Sequence, residues 1–438
     1  MHIAVINSRQ DPAGVNIRRH LLELCKSDSG NWSLLESHEL EFHEVEERLI
    51  FQDRIDDGLS CDCIIFISRH ASSHPVPALT VHVTGNFEAA ELGGRARELP
   101  PATPELMHAI LQNLAGNAPD GYRVSYEVTH HGPTELSIPS LFVEIGSTLS
   151  EWEDPAAGRA VAKSILDAAI APTINLIGFG GTHYAVRQTA ISLRSRAAFG
   201  HIAPGRLVCS IDAELAGKMR DQSRAVAAYV DKKALPKDEC SQIEAILDAE
   251  GLLVLSEGEI LEIGNLEWGT YLQIRALAEE IAPGSSVCIH NLSGTGRPTA
   301  VTIQRELVEE TIKFDKTRFL EDISALSVAH LSRGSAEVLP TFIGFRENAA
   351  QLVNDLITLC VKLLLISEST VVLGNDLIIR RARFDPRKAM ELGVPAGPLF
   401  GTLAGGGEIE IAGQIIRPDM VQNYSVKKIP IPGLERYR

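Results

Sequence analysis

Residues 61–67 read Cys-Asp-Cys-Ile-Ile-Phe-Ile, an almost unbroken apolar run. A strand with one wet face alternates apolar and polar residues, so a strand without alternation must be covered on both faces. Cover on both faces points to an α/β fold. The neighbouring segments agree. Residues 2–7 form a short apolar strand, and Asp11-Pro-Ala-Gly14 leads into a helix with Val15, Ile17, Leu21, Leu22 and Leu24 at helical spacing. Leu79 to Val83 is a further strand, and the expected core is a mostly parallel sheet. Such sheets place their sites just beyond strand ends. Here those ends carry Ser68-Arg69-His70, His74, and His82 ahead of Thr84-Gly85-Asn86.

The chemistry concentrates in residues 126–148, YEVTHHGPTELSIPSLFVEIGST. A strand candidate runs into His130 and His131, Gly132-Pro133 breaks the chain, and a second strand, Leu141 to Ile145, carries Glu144. Glycine tolerates positive φ and proline fixes its own, so the pair is a strong turning signal. The turn can bring Glu144 back towards the two histidines. Two neutral imidazoles and a carboxylate are what zinc accepts and what a water-activating site needs. The plainer alternative is that the histidines cap a strand end and Glu144 points to solvent.

Residues 155–171 are small and apolar at helical spacing and suit a helix packed on the sheet. Asn175 to Phe179 is the next strand, followed by Gly180-Gly181-Thr182-His183-Tyr184. Two glycines at a strand end let the backbone approach a ligand, and their N–H groups could meet an oxyanion. His183 is the strongest catalytic or metal-binding candidate outside the central stretch. Arg187, Arg194, Arg196, His201 and Arg206 make the following segment locally basic, and His201 is expected at an RNA-facing edge.

With 438 residues the chain exceeds one compact core, so two domains are expected. The hydrophobic share of 45% and charged share of 22% are those of an ordinary soluble globular protein. No apolar run approaches the roughly 20 residues of a membrane span; Leu352 to Ile366 is interrupted by Asn354, Asp355 and Lys362. The N-terminus has no basic segment or cleavage site, and seven scattered cysteines suit reduced thiols. A cytoplasmic location is expected. A net charge of −16 speaks against nucleic acid unless particular segments supply a basic face.

Four motifs together carry a family resemblance: Phe66-Ile-Ser-Arg-His-Ala-Ser-Ser73, Thr80-Val-His-Val-Thr-Gly-Asn86, Thr129-His-His-Gly-Pro-Thr134 with Pro139 to Ser147, and Gly178-Phe-Gly-Gly-Thr-His-Tyr-Ala185. In this order, over residues 1 to about 265, they resemble the archaeal and plant D-aminoacyl-tRNA deacylases of the zinc-associated class. The resemblance implies hydrolysis of the ester of D-aminoacyl-tRNA with zinc. It also implies an α/β fold of the phosphorylase and peptidyl-tRNA hydrolase type. Thr182 stands where family members often have a third glycine. Chemistry and spacing then nominate the residues. Zinc ligands are sought among His70, His74, His82, His130, His131, Glu144 and His183. Catalysis is assigned to His131, Glu144, His183 and the N–H groups of Gly180 and Gly181, with Ser68, Arg69, Thr129, Thr134, Tyr184 and Arg187 binding substrate. A thiolate nucleophile is unlikely because no cysteine falls in the motifs, and the serines lack the G-x-S-x-G context.

From residue 266 the pattern changes to a smaller α+β domain. Residues 266–282 are helical and amphipathic; strands are expected at 287–290, 337–345 and 370–379, and helices near 319–331 and 348–366. The Gly294-Thr-Gly296 turn reads as a plain loop. In the segment from Phe384 to Gly401, Asp385 is an N-cap, Pro386 opens a short helix and Gly393 ends it. This segment, with Arg417-Pro418, resembles part of the long tRNA 3′-processing zinc endonucleases. Their HxHxDH motif is absent and no histidine lies beyond His330, so only an accessory module carries over. The chain is expected to act as a monomer on the 3′ end of D-aminoacyl-tRNA, with neither DNA nor membrane as partner. Two other readings stay open: a metal-dependent hydrolase of a small ester or amide, and a non-catalytic RNA- or protein-binding module.

Overall fold

The structure is a computed structural model that describes residues 1–26, 31–72, 75–292, 296–334 and 337–438. It divides into two compact units, Met1–Gly264 and Asn265–Arg438. His74 and the Gly294-Thr295 part of the loop read above lie outside the described residues.

The first unit is a mixed α/β assembly. Its strands are β1 (His2–Ser8), β2 (Glu39–Val45), β3 (Cys63–Ala71), β4 (Ala78–His82), β5 (Arg123–Tyr126), β6 (Ser140–Ser147), β7 (Ile174–Phe179), β8 (Ala197–Ala203), β9 (Ala227–Val230) and β10 (Leu253–Leu255). Six of them form one sheet in the order β2-β1-β3-β6-β4-β5, parallel except where β4 runs against β6. The other four make a wholly parallel sheet, β10-β9-β7-β8. The apolar run in β3 is covered on both faces. Ile64 and Phe66 pack with Ala4, Ile6 and Phe142 on one side, while Ile65 and Ile67 are equally buried on the other.

Helices α1 (Pro12–Lys26), α2 (Pro104–Asn117), α3 (Leu149–Trp152), α4 (Pro155–Leu166), α5 (Val186–Ser192), α6 (Ala213–Ser223), α7 (Lys237–Ala249) and α8 (Glu257–Ile263) supply the cover. Asp11 starts α1 by accepting the N–H groups of Ala13 and Gly14 at 3.0 Å each. Its other oxygen accepts the Arg69 N–H at 3.0 Å, which ties the helix start to the end of β3.

The second unit opens with α9 (Trp268–Ile281) and builds an antiparallel sheet from β11 (Ser286–His290), β12 (Pro298–Thr302), β13 (Val328–Arg333) and β14 (Glu337–Phe345). Helices α10 (Arg305–Ser324) and α11 (Ala349–Leu365) pack there. Residues 346–365 are long and apolar enough to cross a membrane by composition. Their Leu352, Leu356, Cys360, Val361 and Leu364 form part of the unit's core. A second sheet joins β15 (Thr370–Leu373), β16 (Asp376–Phe384) and β19 (Gln422–Pro430). Between them lie α12 (Pro386–Glu391), α13 (Pro398–Ala404), β17 (Ile409–Ile411) and β18 (Gln414–Ile416).

Two expectations for this unit are corrected. The helix placed near 319–331 ends at Ser324 and gives way to β13, whose Val328, Ala329 and Leu331 are buried in the sheet. The single strand at 370–379 is a hairpin, because Gly374 at φ 61° turns the chain. The cap reading holds: Asp385 accepts from the N–H groups of Arg387 and Lys388, and Gly393 lies at φ 82°.

Candidate functional site

The site grows from strand pairing. In β6, Glu144 stands between Ser68 of β3 and Thr80 of β4. Ser68 Oγ donates to a Glu144 oxygen at 2.6 Å. Two residues further along β3, His70 faces Gly146. A Cβ on Gly146 would lie 2.6 Å from His70 Cδ2, so glycine is what gives the ring its place. His82 ends β4 beside Phe142, with its ring stacked on the phenyl at 5.4 Å.

The chain leaving β5 supplies the rest. Glu127 donates its N–H to Val81 O at 3.1 Å, and Val128 donates to His183 O at 2.9 Å. These bonds bring the loop after β7 against the loop after β5. Glu127 is fully buried and faces three imidazoles: His183 Nε2 at 2.8 Å, His70 Nδ1 at 3.0 Å and His130 Nε2 at 3.5 Å. Glu144 meets His70 Nδ1 and His82 Nε2, each at 3.7 Å. Four histidines and two carboxylates therefore share one centre, and His131 joins it beside His82 and His130.

Ring orientation shows what the centre can hold. His130 Nδ1 points to Val128 O at 2.8 Å, His131 Nδ1 to Gly132 O at 2.6 Å and His82 Nδ1 to Val83 O at 3.2 Å. A nitrogen facing a carbonyl carries the proton, so the three Nε2 atoms present lone pairs. One ring nitrogen from each of these three histidines lies within 4.8 Å of the other two. Lone pairs of imidazoles and carboxylates facing each other could hold a cation among them, and backbone-anchored Nδ1–H groups are the usual support of metal-bound histidine. Two further groups have the same compactness: His70, Glu127 and His183, and His82, Glu127 and Glu144. The Glu127 oxygens and His82 Nε2 are buried without a hydrogen bond of proper geometry. The donor set fits a divalent cation.

Protonation tendencies follow from the same arrangement. Burial pushes His130 well down and His131 to about 4, so both are neutral at pH 7. Burial opposes charge on His70 as well, but Glu127 and Glu144 beside it outweigh burial and raise it to about 11. Burial alone would raise Glu127 and Glu144. The surrounding histidines hold both well below the usual carboxylate range.

A cavity of about 230 Å³ opens on this centre, lined by His70, His130, His131, Glu144 and His183 together with Ser68 and Arg69. Leu49, Ile50, Leu92 and Phe142 give it an apolar lining, and Asp11 and Arg48 also line it. Arg69 lays its guanidinium over the Trp152 ring at 5.2 Å. Tyr184 Oη lies 3.2 Å from His70 Nε2.

Other nominated residues do different work. Gly180 and Gly181 take φ of 97° and 90°, a backbone shape that only glycine adopts freely. The Gly180 N–H is spent on Ala203 O at 2.9 Å, and neither glycine lines the cavity, so the oxyanion role does not fit. Arg187 pairs with Glu257 at 3.1 Å rather than facing the cavity. Thr134 is a scaffold residue, accepting the Arg95 N–H at 2.7 Å and donating its own to Asp53 at 2.8 Å. Thr129 Oγ sits 3.1 Å from His201 Nδ1. His201 is fully buried, with Nε2 at 2.9 Å from Pro100 O, so it is a core residue and not an edge residue.

Glu127 was not foreseen, although it lies three residues before His130 in the stretch that drew attention. Its signal was a carboxylate directly after a strand and ahead of a histidine pair. Asp11 was read only as part of a helix lead-in.

The family model for D-aminoacyl-tRNA deacylase matches residues 57–255. A protein named D-aminoacyl-tRNA deacylase from Methanoculleus marisnigri is 59% identical over 437 residues, covering 100% of both chains. The chain belongs to the D-aminoacyl-tRNA deacylase family. A relative of the same name from Methanoregula boonei is 51% identical, again over 100% of both chains. Another, from Methanosarcina mazei, is 41% identical over 60% of this chain and 95% of its own. The crystal structure of a conserved protein of unknown function superposes with a TM-score of 0.54 at 33% identity, covering 59% of this chain and 96% of that one. The centre described above, from Ser68 to His183, falls inside the matched family region.

Proposed function

We propose that the cavity of the first unit is where the ester of D-aminoacyl-tRNA is hydrolysed to free tRNA and D-amino acid, with zinc at the histidine–carboxylate centre. The observation that carries this reading is the convergence of ring nitrogens from His82, His130 and His131 beside Glu127 and Glu144, in a chain of the deacylase family. His82, His130 and His131 would hold one ion, and His70, Glu127 and His183 are placed to hold another. Bound zinc would lower the pKa of its water to about 7.

The chain's own groups do the rest. Water adds to the ester carbonyl, its proton passes to a basic group of the centre, and the ribose oxygen leaves with a proton. Ser68 orients Glu144 through the 2.6 Å hydrogen bond, and Tyr184 orients His70. The apolar lining of Leu49, Ile50, Leu92 and Phe142 suits the amino-acid side chain, while Arg48 and Arg69 suit the terminal phosphates. We assign the fold of the first unit to the phosphorylase and peptidyl-tRNA hydrolase type, on the strength of its parallel strands and the site beyond their ends. A cytoplasmic, monomeric enzyme remains the working expectation.

The test is metal analysis of the purified chain combined with release of tyrosine from D- and L-tyrosyl-tRNA. Bound zinc, loss of turnover on chelation and strong preference for the D-ester are expected. Full turnover after exhaustive chelation would exclude the metal, and equal rates on both enantiomers would exclude an editing role, which must spare the abundant L-ester.

A further inference from the structure

The sheet β15–β16–β19 buries one face in the core of the second unit through Leu377, Ile379 and Ile429. Pleating sends alternate residues to the other face. There the register sets Val371 beside Ile378, Arg380 beside Val426 and Ala382 beside Tyr424. On this face Leu373 is 70% exposed, Tyr424 and Val426 61% each, and Val371 40%. A solvated face of an antiparallel sheet is normally polar, so these large apolar side chains are out of pattern and mark a contact surface.

Cations border them. Arg380 shares the face and Arg387 follows in α12, and both are exposed; Arg383 alternates to the side of Leu377 and Ile379. Residues 376–388 and 417–428 hold eight Lys and Arg against three Asp, in a chain of net charge −16. The balance differs sharply between the units. Residues 1–264 carry 22 Lys and Arg against 37 Asp and Glu, whereas residues 265–438 carry 19 against 20. The unit that holds the cavity thus repels a polyanion at long range, and phosphate contacts must come from local basic surfaces. The Methanosarcina mazei relative is spanned almost whole by 60% of this chain, so the deacylase name does not require the remainder.

We propose that the exposed face of β15–β16–β19 binds the body of the substrate tRNA. Phosphates lie on Arg380 and Arg387, and an unpaired base stacks on Tyr424. The proposal rests on the deacylase reading, because it takes tRNA as the substrate. Its contribution is affinity and not chemistry.

The experiment measures binding of uncharged tRNA by the full-length chain across a salt series, alongside turnover of saturating D-tyrosyl-tRNA. Arg380→Glu with Arg387→Glu should weaken binding about tenfold and flatten the slope of log Kd against log salt by about 2. Tyr424→Ala should weaken binding about tenfold with the slope unchanged, since stacking releases no counterions. Arg333→Glu, on β13, should do neither, and kcat should hold in every variant. Folded Arg380/Arg387 and Tyr424 variants with wild-type affinity and slope would overturn the proposal. So would a wild-type dimer that Tyr424→Ala dissociates without changing tRNA affinity, because the face would then serve a second copy of the chain. Absence of D-tyrosyl-tRNA turnover in wild type would instead remove the deacylase reading, whatever the binding shows.

Discussion

His183 Nε2 and a carboxylate oxygen of Glu127 meet at 2.8 Å behind the cavity. The same carboxylate faces His70 at 3.0 Å and His130 at 3.5 Å, so one buried charge organises rings from three segments.

Glu127→Gln keeps the shape and removes the charge. It should lower metal content and reduce kcat/KM by about 100-fold, the upper end of what changes at groups supporting a metal site produce. Elemental analysis beside D-tyrosyl-tRNA kinetics checks it. Wild-type metal content and turnover in a folded variant would show that Glu127 only fills space.

Gly146→Ala probes placement rather than charge. The new methyl would sit 2.6 Å from His70 Cδ2 and 2.9 Å from His70 Cβ, so the ring must swing out of the centre. Turnover should fall at least about tenfold, as small displacements of a catalytic group commonly do. Gly116→Ala, at the end of α2, meets nothing within 4 Å and should leave turnover and melting temperature unchanged. Equal behaviour of the two variants would mean that His70 is not held in place by Gly146.

The strands around the site were legible because their burial on both faces leaves a one-dimensional signature, as in Cys63 to Ile67. The histidines were legible because they stand at strand ends in a short span of sequence. What the sequence does not carry is direction. Nothing local says that the Gly180 N–H turns to Ala203, or that His201 turns inward to Pro100 while His130 turns to Glu127. Glu127 was hidden for a related reason. A single carboxylate after a strand looks like any solvated residue until His70 and His183, from distant segments, close over it beside its neighbour His130.

Glu310 of α10 is buried among Arg381 at 2.5 Å and Lys313 and Lys427 at 3.1 Å each, pinning the helix to β16 and β19. Burial alone would raise its pKa, but Lys427 and Lys313 outweigh burial and hold it below the usual carboxylate range. A depressed carboxylate stabilises above its unfolded pKa, and that stability is lost as pH falls through the folded value. Glu310→Gln should cost about 2 kcal/mol at neutral pH, less than a fully buried pair because the cations are half-exposed. The gap from wild type should close in acid. Denaturant titrations at both pH values report it, and a gap that stays constant would show that the charge contributes nothing.

His201 gives the clearest pH dependence. Burial pushes its pKa to about 4 against the weaker pull of the Pro100 carbonyl, so the folded chain keeps it neutral. The unfolded chain protonates it from about pH 6.5 downward. The unfolded state therefore binds more protons between those values, and stability falls as pH drops from about 6.5 towards 4, by about 2 kcal/mol at pH 5 from this residue alone. Other buried histidines add to the slope, so the difference from a variant isolates it. His201→Asn should be less stable than wild type at pH 7, having lost the Pro100 and Thr129 hydrogen bonds, and the difference should narrow by about 2 kcal/mol at pH 5. Its turnover per folded molecule should stay near wild type at pH 7, unlike that of His131→Ala or His183→Ala. A stability difference that is the same at both pH values would show that His201 titrates normally in the folded chain.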